Sequence, residues 1–394
     1  MIYLDNASTT PPLKVVVDEV VRQLSHYGSI GRGSGRNSEL STGIYEHGRN
    51  VIKKFFGADS EKYTAFYTNS TTDGMNKLAS ALTNIDKPVL VVSTRMEHHS
   101  NDLPWKERAY VEYVEVDQEG HLILGDFAEI LGRDRYRDME KYVTVTAASN
   151  VTGYVNPVHA IARIAHSYGA KIIVDGAQIA AHRPFSMTGK SVEEDIDFFV
   201  FSAHKMYSPF GGGAVIGLTH VLNNHIPEFY GGGAVITVDD DHATYTQAPE
   251  LYEAGSPNFP AVVGMLKSIE ALNGIGFGRI QRHQDELFHQ ALKGLSAIPE
   301  VTLYGTNYVD RVGIIPFTID GITPQVAAER LSTEYGISLR YAAFCAHPYV
   351  RRLTSTLHET DMVPEGMLRA SIGIHNTPRD IVALIKGCKG LTNR

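Results

Sequence analysis

D-I-D-F-F-V-F-S-A-H-K-M-Y-S-P-F-G-G-G-A-V-I-G, residues 195–217, is the stretch on which the reading of the fold turns. Phe198 to Phe201 form a short apolar run, bounded by acids before and Ser202 after, and read as a buried strand. Ala214 to Ile216 read as another. Between them lies a loop with one lysine, Lys205, two benzene-ring side chains, Tyr207 and Phe210, and a glycine triplet. Glycines let a backbone come close to a flat or anionic ligand. A lysine in a partly dry place loses basicity, because desolvation disfavours its charged form. Such an amine is a usable nucleophile toward carbonyls and forms Schiff bases. The competing reading of Lys205 is a solvated lysine on a connecting loop.

Working outward, A-K-I-I-V-D-G-A-Q puts Ile172 to Val174 on a buried strand that ends in Asp175, with Gln178 just beyond. Open α/β sheets place ligands at the carboxyl ends of parallel strands. Further strands are expected at Thr64–Tyr67, Val89–Ser93, Tyr110–Val116 and Tyr142–Thr146. Helices are expected at Leu13–His26, with Val16, Val20, Val21 and Leu24 on one face, at Ser38–Phe56 capped by Ser38, and at Pro157–Ser167. This alternation argues for a parallel, wound sheet. After a long helix from Ala261 to Leu272, the remainder reads as α+β.

The chain has 394 residues, enough for two domains and a sizeable core. The net charge of −8, with no basic run, argues against a nucleic-acid partner. No apolar run approaches the length that spans a bilayer, and the N-terminus lacks the pattern of a signal peptide. Two cysteines, Cys345 and Cys388, make no disulfide framework, so a reducing cytoplasm is the expected compartment. No metal-ligating set is assigned.

Several strings carry a family resemblance. They are Y-L-D-N-A-S at residues 3–8, T-N-S-T-T-D-G-M-N at 68–76, E-H-H-S-N-D-L-P-W at 97–105 and S-N-V-T-G-Y-V-N-P at 149–157. V-D-G-A-Q, F-S-A-H-K, E-A-G-S-P-N at 253–258, R-Y-A-A-F-C-A-H-P at 340–348 and R-A-S-I-G-I-H-N-T at 369–377 continue the series over nearly the whole chain. Together they resemble the class V aminotransferase and cysteine desulfurase family of pyridoxal-phosphate enzymes of fold-type I. The resemblance implies a large domain with a mostly parallel seven-stranded sheet flanked by helices, and a smaller α+β C-terminal domain. The boundaries expected are 1–15 for an N-terminal segment packing with the small domain, 16–260 for the cofactor domain and 261–394 for the small domain.

What the resemblance implies can be carried over residue by residue. Lys205 would hold pyridoxal 5'-phosphate, and Asp175 would keep its pyridine nitrogen protonated, since an opposite charge favours the charged form. His98 would stack on the ring and stand near as a proton carrier. Gln178 and Asn150 would reach the phenolic oxygen, Asn150 alternatively the substrate. Thr71, Thr72, Ser202 and His204 would hold the phosphate, joined by Ser256 from a neighbouring subunit in a homodimer. For Thr71 and Thr72 the strand–turn–helix context agrees, because a helix N-terminus offers unpaired N–H groups and a favourable dipole. Arg369 would grip a substrate carboxylate through a bidentate pair.

Cys345 decides between class V activities. As a thiolate it would take sulfur from bound cysteine, leaving a persulfide and alanine, for later transfer to a sulfur-acceptor protein. As a small apolar residue among Ala342, Ala343, Phe344 and Ala346, it would merely pack. In that case the chain would be another class V enzyme: a selenocysteine lyase, C–S lyase, epimerase or aminotransferase. A non-catalytic sulfur-relay or regulatory binding protein is a third reading. The family's Thr-Gly before this loop is Tyr341-Ala342 here, and Arg32 and Arg36 stand where the family often has histidines. Cys388, late in an amphipathic helix, is expected to be structural.

Overall fold

In the computed structural model, which describes residues 1–209, 211–225, 228–306, 310–355 and 366–392, seven strands form the large sheet. They are β1 (Tyr63–Thr68), β2 (Val89–Thr94), β3 (Tyr110–Val114), β4 (Glu140–Thr146), β5 (Lys171–Asp175), β6 (Phe198–Ser202) and β7 (Gly213–Leu218). Their order is β1-β7-β6-β5-β4-β2-β3, and β7 runs antiparallel to both of its neighbours while the others run parallel. The pattern explains why these strands read as unbroken apolar runs. Helices cover both faces, so β2, β6 and β7 are buried along their full length. Phe198, Phe199 and Phe201 are fully buried, and Phe56 packs its ring against both Phe199 and Phe201. Each such side chain contributes about 1.5–3 kcal/mol by leaving water.

The second sheet is antiparallel, with β8 (Val301–Leu303), β9 (Ile314–Ile319), β10 (Arg340–Ala342) and β11 (Met367–Ser371) in the order β8-β9-β11-β10. It has its own core, in which Leu4, Leu287, Phe317, Leu331, Leu368, Leu384 and Cys388 meet. Cys388 is buried there and its thiol is pushed up to about 12 by burial. Ile2–Tyr3 pairs in parallel with Ile337–Ser338, and the N-terminal segment then crosses to the large sheet, where the Thr10 N–H reaches the His204 carbonyl.

Two local expectations need correction. The second helix runs Arg36–Phe55 and begins at Gly35, whose φ of 98° is open to glycine; Ser38 lies inside the first turn and faces Ser29. In the first helix, Lys14–Leu24, Val16 and Val20 are buried while Val21 and Leu24 are 63% and 48% exposed, so the apolar face is narrower than its periodicity suggested. Phe210 of the opening stretch lies outside the described residues.

Candidate active site

The carboxyl ends of β1, β2, β4, β5 and β6 converge on a cavity of about 270 Å³. Eleven of the residues singled out from sequence line it: Thr71, Thr72, His98, Asn150, Asp175, Gln178, Ser202, His204, Lys205, Cys345 and Arg369. Ser256 is the exception. It is exposed and borders a separate cleft with Tyr67, Lys77 and Asn258.

Lys205 ends a single 3-10 turn, Ala203–Lys205, directly after β6. Ala203 N–H bonds the Gly212 carbonyl, and the N-terminal segment clamps the same turn from outside. Gly213 is required here, because a Cβ would sit 2.3 Å from the Phe201 carbonyl oxygen. Burial lowers the Lys205 amine to about 8; Asp175, Cys345 and Asp5 oppose that fall, and Arg369 adds to it. Such an amine exchanges its proton near neutral pH. Asp175, only 3% exposed, accepts one hydrogen bond among the described residues, from Ala177 N–H at 2.8 Å. Burial raises its pKa, against the pull of that N–H and of Lys205. A carboxylate this dry, with one hydrogen bond and a free flank on the cavity, suits a cationic partner.

At the other end, the 13-residue helix Thr71–Thr83 aims its N-terminus at the cavity. Its three hydroxyls divide the work. Ser70 Oγ caps the helix by accepting from Asp73 N–H, Thr71 Oγ1 lies 2.7 Å from Ser202 Oγ, and Thr72 Oγ1 lies 2.6 Å from Ser100 Oγ. Thr71 N–H donates to Ser202 Oγ at 2.7 Å, which brings that hydroxyl to the helix end; the hydroxyls, the Thr72 N–H and the helix dipole together make a seat for an anion such as a phosphate. His204 stands beside it, its Nδ1 3.1 Å from Thr9 Oγ1, and burial followed by the Lys205 charge lowers it to about 4. Gln178 donates from Nε2 to the Ala7 carbonyl at 2.7 Å, which leaves its buried Oε1 without a partner among the described residues.

Arg369 sits on β11, directly opposite Arg340 on β10. Like charges across a ladder repel, and Asp5 compensates: it lies 3.2 Å from Arg369 Nη2 and 3.0 Å from Arg340 Nη2. Ser8 Oγ accepts from Arg369 Nη2 at 2.6 Å and from Arg340 Nε at 3.0 Å. The Nε of Arg369 is buried and has no partner among the described residues, so one N–H of the guanidinium is left without an acceptor while both terminal nitrogens are engaged. Arg369 Nη1 also donates to the Asn150 carbonyl, and Asn150 Nδ2 donates to the carbonyl of Phe344, which ties this arginine to the cysteine loop.

Cys345 is exposed at the cavity, while Phe344 and Ala346 on either side are buried. Packing alone therefore does not account for it. Phe344 and Cys345 both have left-handed backbone, φ 51° and 55°, which turns the sulfur outward. Ala342, where the resembling motif has glycine, sits at φ 89°. The loop is held by His99, whose N–H donates to the Cys345 carbonyl at 2.7 Å and whose ring stacks on His347 at 4.9 Å.

Ser8, Ser100 and Arg340 also line the cavity, and sequence reasoning gave them no role. Each lies inside a quoted motif, so motif position alone was the available signal. The donor set fits pyridoxal phosphate: an amine, a dry carboxylate with a free flank, an anion seat and a guanidinium with one unpartnered N–H.

Comparison with known proteins identifies the family. The family profile "Aminotransferase class-V" matches residues 2–384. A cysteine desulfurase of Haloferax volcanii is 32% identical, over 98% of this chain and 88% of its own. Among solved structures, the apo cysteine desulfurase of Thermococcus onnurineus NA1 superposes with a TM-score of 0.88 at 29% identity, covering 99% of this chain and 94% of that one. The cysteine desulfurase CsdA of Escherichia coli gives 0.84 at 27% identity, over 98% and 93%. The chain therefore belongs to the aminotransferase class-V family, the family of pyridoxal-phosphate enzymes that its motifs resemble.

Proposed function

We propose that this protein is a pyridoxal-phosphate-dependent cysteine desulfurase that takes sulfur from L-cysteine as a persulfide on Cys345 and releases L-alanine. The observation that carries the reading is the convergence of Lys205, Asp175, Arg369 and an exposed Cys345 on one cavity. Relatives named cysteine desulfurase at 32% identity over nearly the full chain support it.

Lys205 would attach the cofactor, Asp175 would face its ring nitrogen, and Thr71, Thr72, Ser202 and His204 would hold its phosphate. When bound, the cofactor supplies an electron sink that lets bonds at the amino acid's α and β carbons break. The chain's own residues do the rest. Arg369, which lines the cavity with its Nε–H unpaired, orients the substrate carboxylate. Asp5 and Ser8 keep the guanidinium in place. Lys205, with its lowered proton affinity, takes a proton from the α carbon and returns protons to the product. The Cys345 thiolate attacks the substrate sulfur; the S–S bond forms as the carbon–sulfur bond breaks, and the carbon is protonated to give alanine. The sulfur stays on Cys345 for a thiol acceptor.

The site is proposed to be completed in a homodimer. Ser256 and Gly231 to Gly233 are exposed, as are Ile236 and Val238 on the antiparallel hairpin formed by Val235–Val238 and Ala243–Tyr245. Glu253 anchors the Ser256 segment through a buried bidentate pair with Arg49. A partner's cavity gives these groups a role that their own does not.

The test is a panel of amino acids scored for alanine, sulfide and keto-acid, run beside borohydride reduction and peptide mapping. L-cysteine should give alanine, and the reduced cofactor should map to Lys205. A keto-acid product without sulfur release, or an adduct on another residue, would overturn the reading.

A further inference from the structure

We infer that Ser100 locks His98 in the Nε2–H tautomer, so that His98 offers the cavity a hydrogen-bond donor and no proton acceptor. The chain leaves β2 at Thr94 and is pinned at Glu97, a buried carboxyl that accepts from Thr94 Oγ1, Asn101 Nδ2 and Thr146 N–H at 2.6–3.0 Å. His98 then has extended backbone, and a 3-10 turn, His99–Asn101, begins. Asn101 N–H returns to the His98 carbonyl, whereas Ser100 N–H turns onto His98 Nδ1 at 3.1 Å. An amide N–H only donates, so Nδ1 must present its lone pair. A neutral imidazole with a lone pair on Nδ1 carries its hydrogen on Nε2.

The Ser100 hydroxyl adds a contact to the same nitrogen that either tautomer can make, so the amide decides. Ser100 Oγ lies 2.9 Å from the same Nδ1 and 2.6 Å from Thr72 Oγ1, so the hydroxyl ties the ring to the anion seat. Burial, then the charges of Lys205, His99 and Arg369, lower its proton affinity to about 3. The ring therefore stays neutral near neutral pH. Among the described residues Nε2 has no hydrogen-bond partner, and the ring lines the cavity. Its hydrogen is free for an oxygen or sulfur of a bound molecule. Proton abstraction then falls to Lys205. Ser100 is a positioning residue, acting on the cavity through the histidine.

The consequence for the reaction rests on the desulfurase reading; the tautomer does not. The experiment is nitrogen NMR of full-length protein labelled in its histidine rings, with and without cofactor, from pH 5 to 9. His98→Gln identifies the signals. The expected result is one Nε2–H form whose Nδ1 stays unprotonated throughout. An Nδ1–H ring, or a ring that takes up a second proton with a midpoint between pH 6 and 7, overturns the proposal. Ser100→Pro deletes the amide donor without removing a backbone bond and should let an Nδ1–H population appear. A folded Ser100→Pro that keeps the Nε2–H form alone removes Ser100 from the account, and if that variant does not fold, the parent spectrum decides. Failure of the desulfurase reading would show separately, as no alanine and no sulfur release from L-cysteine, with the ring spectrum unaffected.

Discussion

Asp175 and Cys345 border one cavity but are built by opposite means. Asp175 ends a central strand, flanked by β4 and β6, with every residue from Ile172 to Asp175 buried. Cys345 stands exposed on a turn where Ala342, Phe344 and Cys345 all have positive φ, next to the edge strand β10. The difference matches the two tasks proposed for these residues. A charge that must stay aligned with a bound ring needs a floor that does not move, and close-packed interiors do not deform readily. A sulfur that must be collected inside and handed on outside needs a rim that water and a partner can reach. Changes on the floor should therefore alter chemistry at the cofactor, and changes on the rim should alter the fate of sulfur.

The sharpest way to break that division is Asp175→Ala. It should still bind cofactor while turnover falls by about 10²–10³-fold, the range for removing one preorganised charge from an active site. Absorbance and steady-state kinetics check this, and full activity in the variant contradicts the floor's role.

Next in size is the pH dependence of stability. Burial lowers the Lys205 amine from 10.5 to about 8, so the folded chain resists a proton that the unfolded chain binds. That penalty is fully present below pH 8 and disappears as the pH rises toward 10.5. In cofactor-stripped protein, the stability of the parent relative to Lys205→Met should rise across this window. The gain is at most about 3 kcal/mol, reduced by whatever share of the amine cavity water reaches. Denaturant melts at several pH values measure it, and a difference that stays flat between pH 8 and 10.5 argues against a dry amine.

The smallest effect concerns the rim. Ala342 has φ 89°, and Gly366 packs so close that a Cβ there would meet the Ala342 backbone at 2.6 Å. Left-handed backbone costs an L-residue about 1–2 kcal/mol, partly offset by the greater freedom glycine has when unfolded. Ala342→Gly should raise stability by up to about 1 kcal/mol, read from thermal melts. A loss of stability would mean that the turn is not strained.

Much of the floor was legible because it is local. A strand, its terminal Asp175 and the Gln178 that follows sit within a few residues, and Lys205 follows β6 within one turn. The rim was less legible because its contacts cross the chain. Ser8 and Arg369 are 361 positions apart and meet only because the N-terminal segment passes between the two sheets. Ser100 differs again. It is two residues from His98, but its effect comes from where its amide points, and side-chain identity does not announce that. Ser38 failed as a cap because Gly35 could take the φ that let the helix start earlier. Ser256 cannot be placed by one chain, since the cavity it is proposed to serve belongs to a partner.

The most direct measurement follows the sulfur itself. The protein is incubated with sulfur-labelled L-cysteine, digested without reductant and read by mass spectrometry, beside Cys345→Ala. The account predicts one labelled sulfur on the peptide carrying Cys345, none on the peptide carrying Cys388, and alanine in equal amount. In Cys345→Ala the cofactor should remain bound while sulfur release falls steeply. Release at the parent rate in that variant, with no added sulfur on Cys345 in the parent, would contradict it.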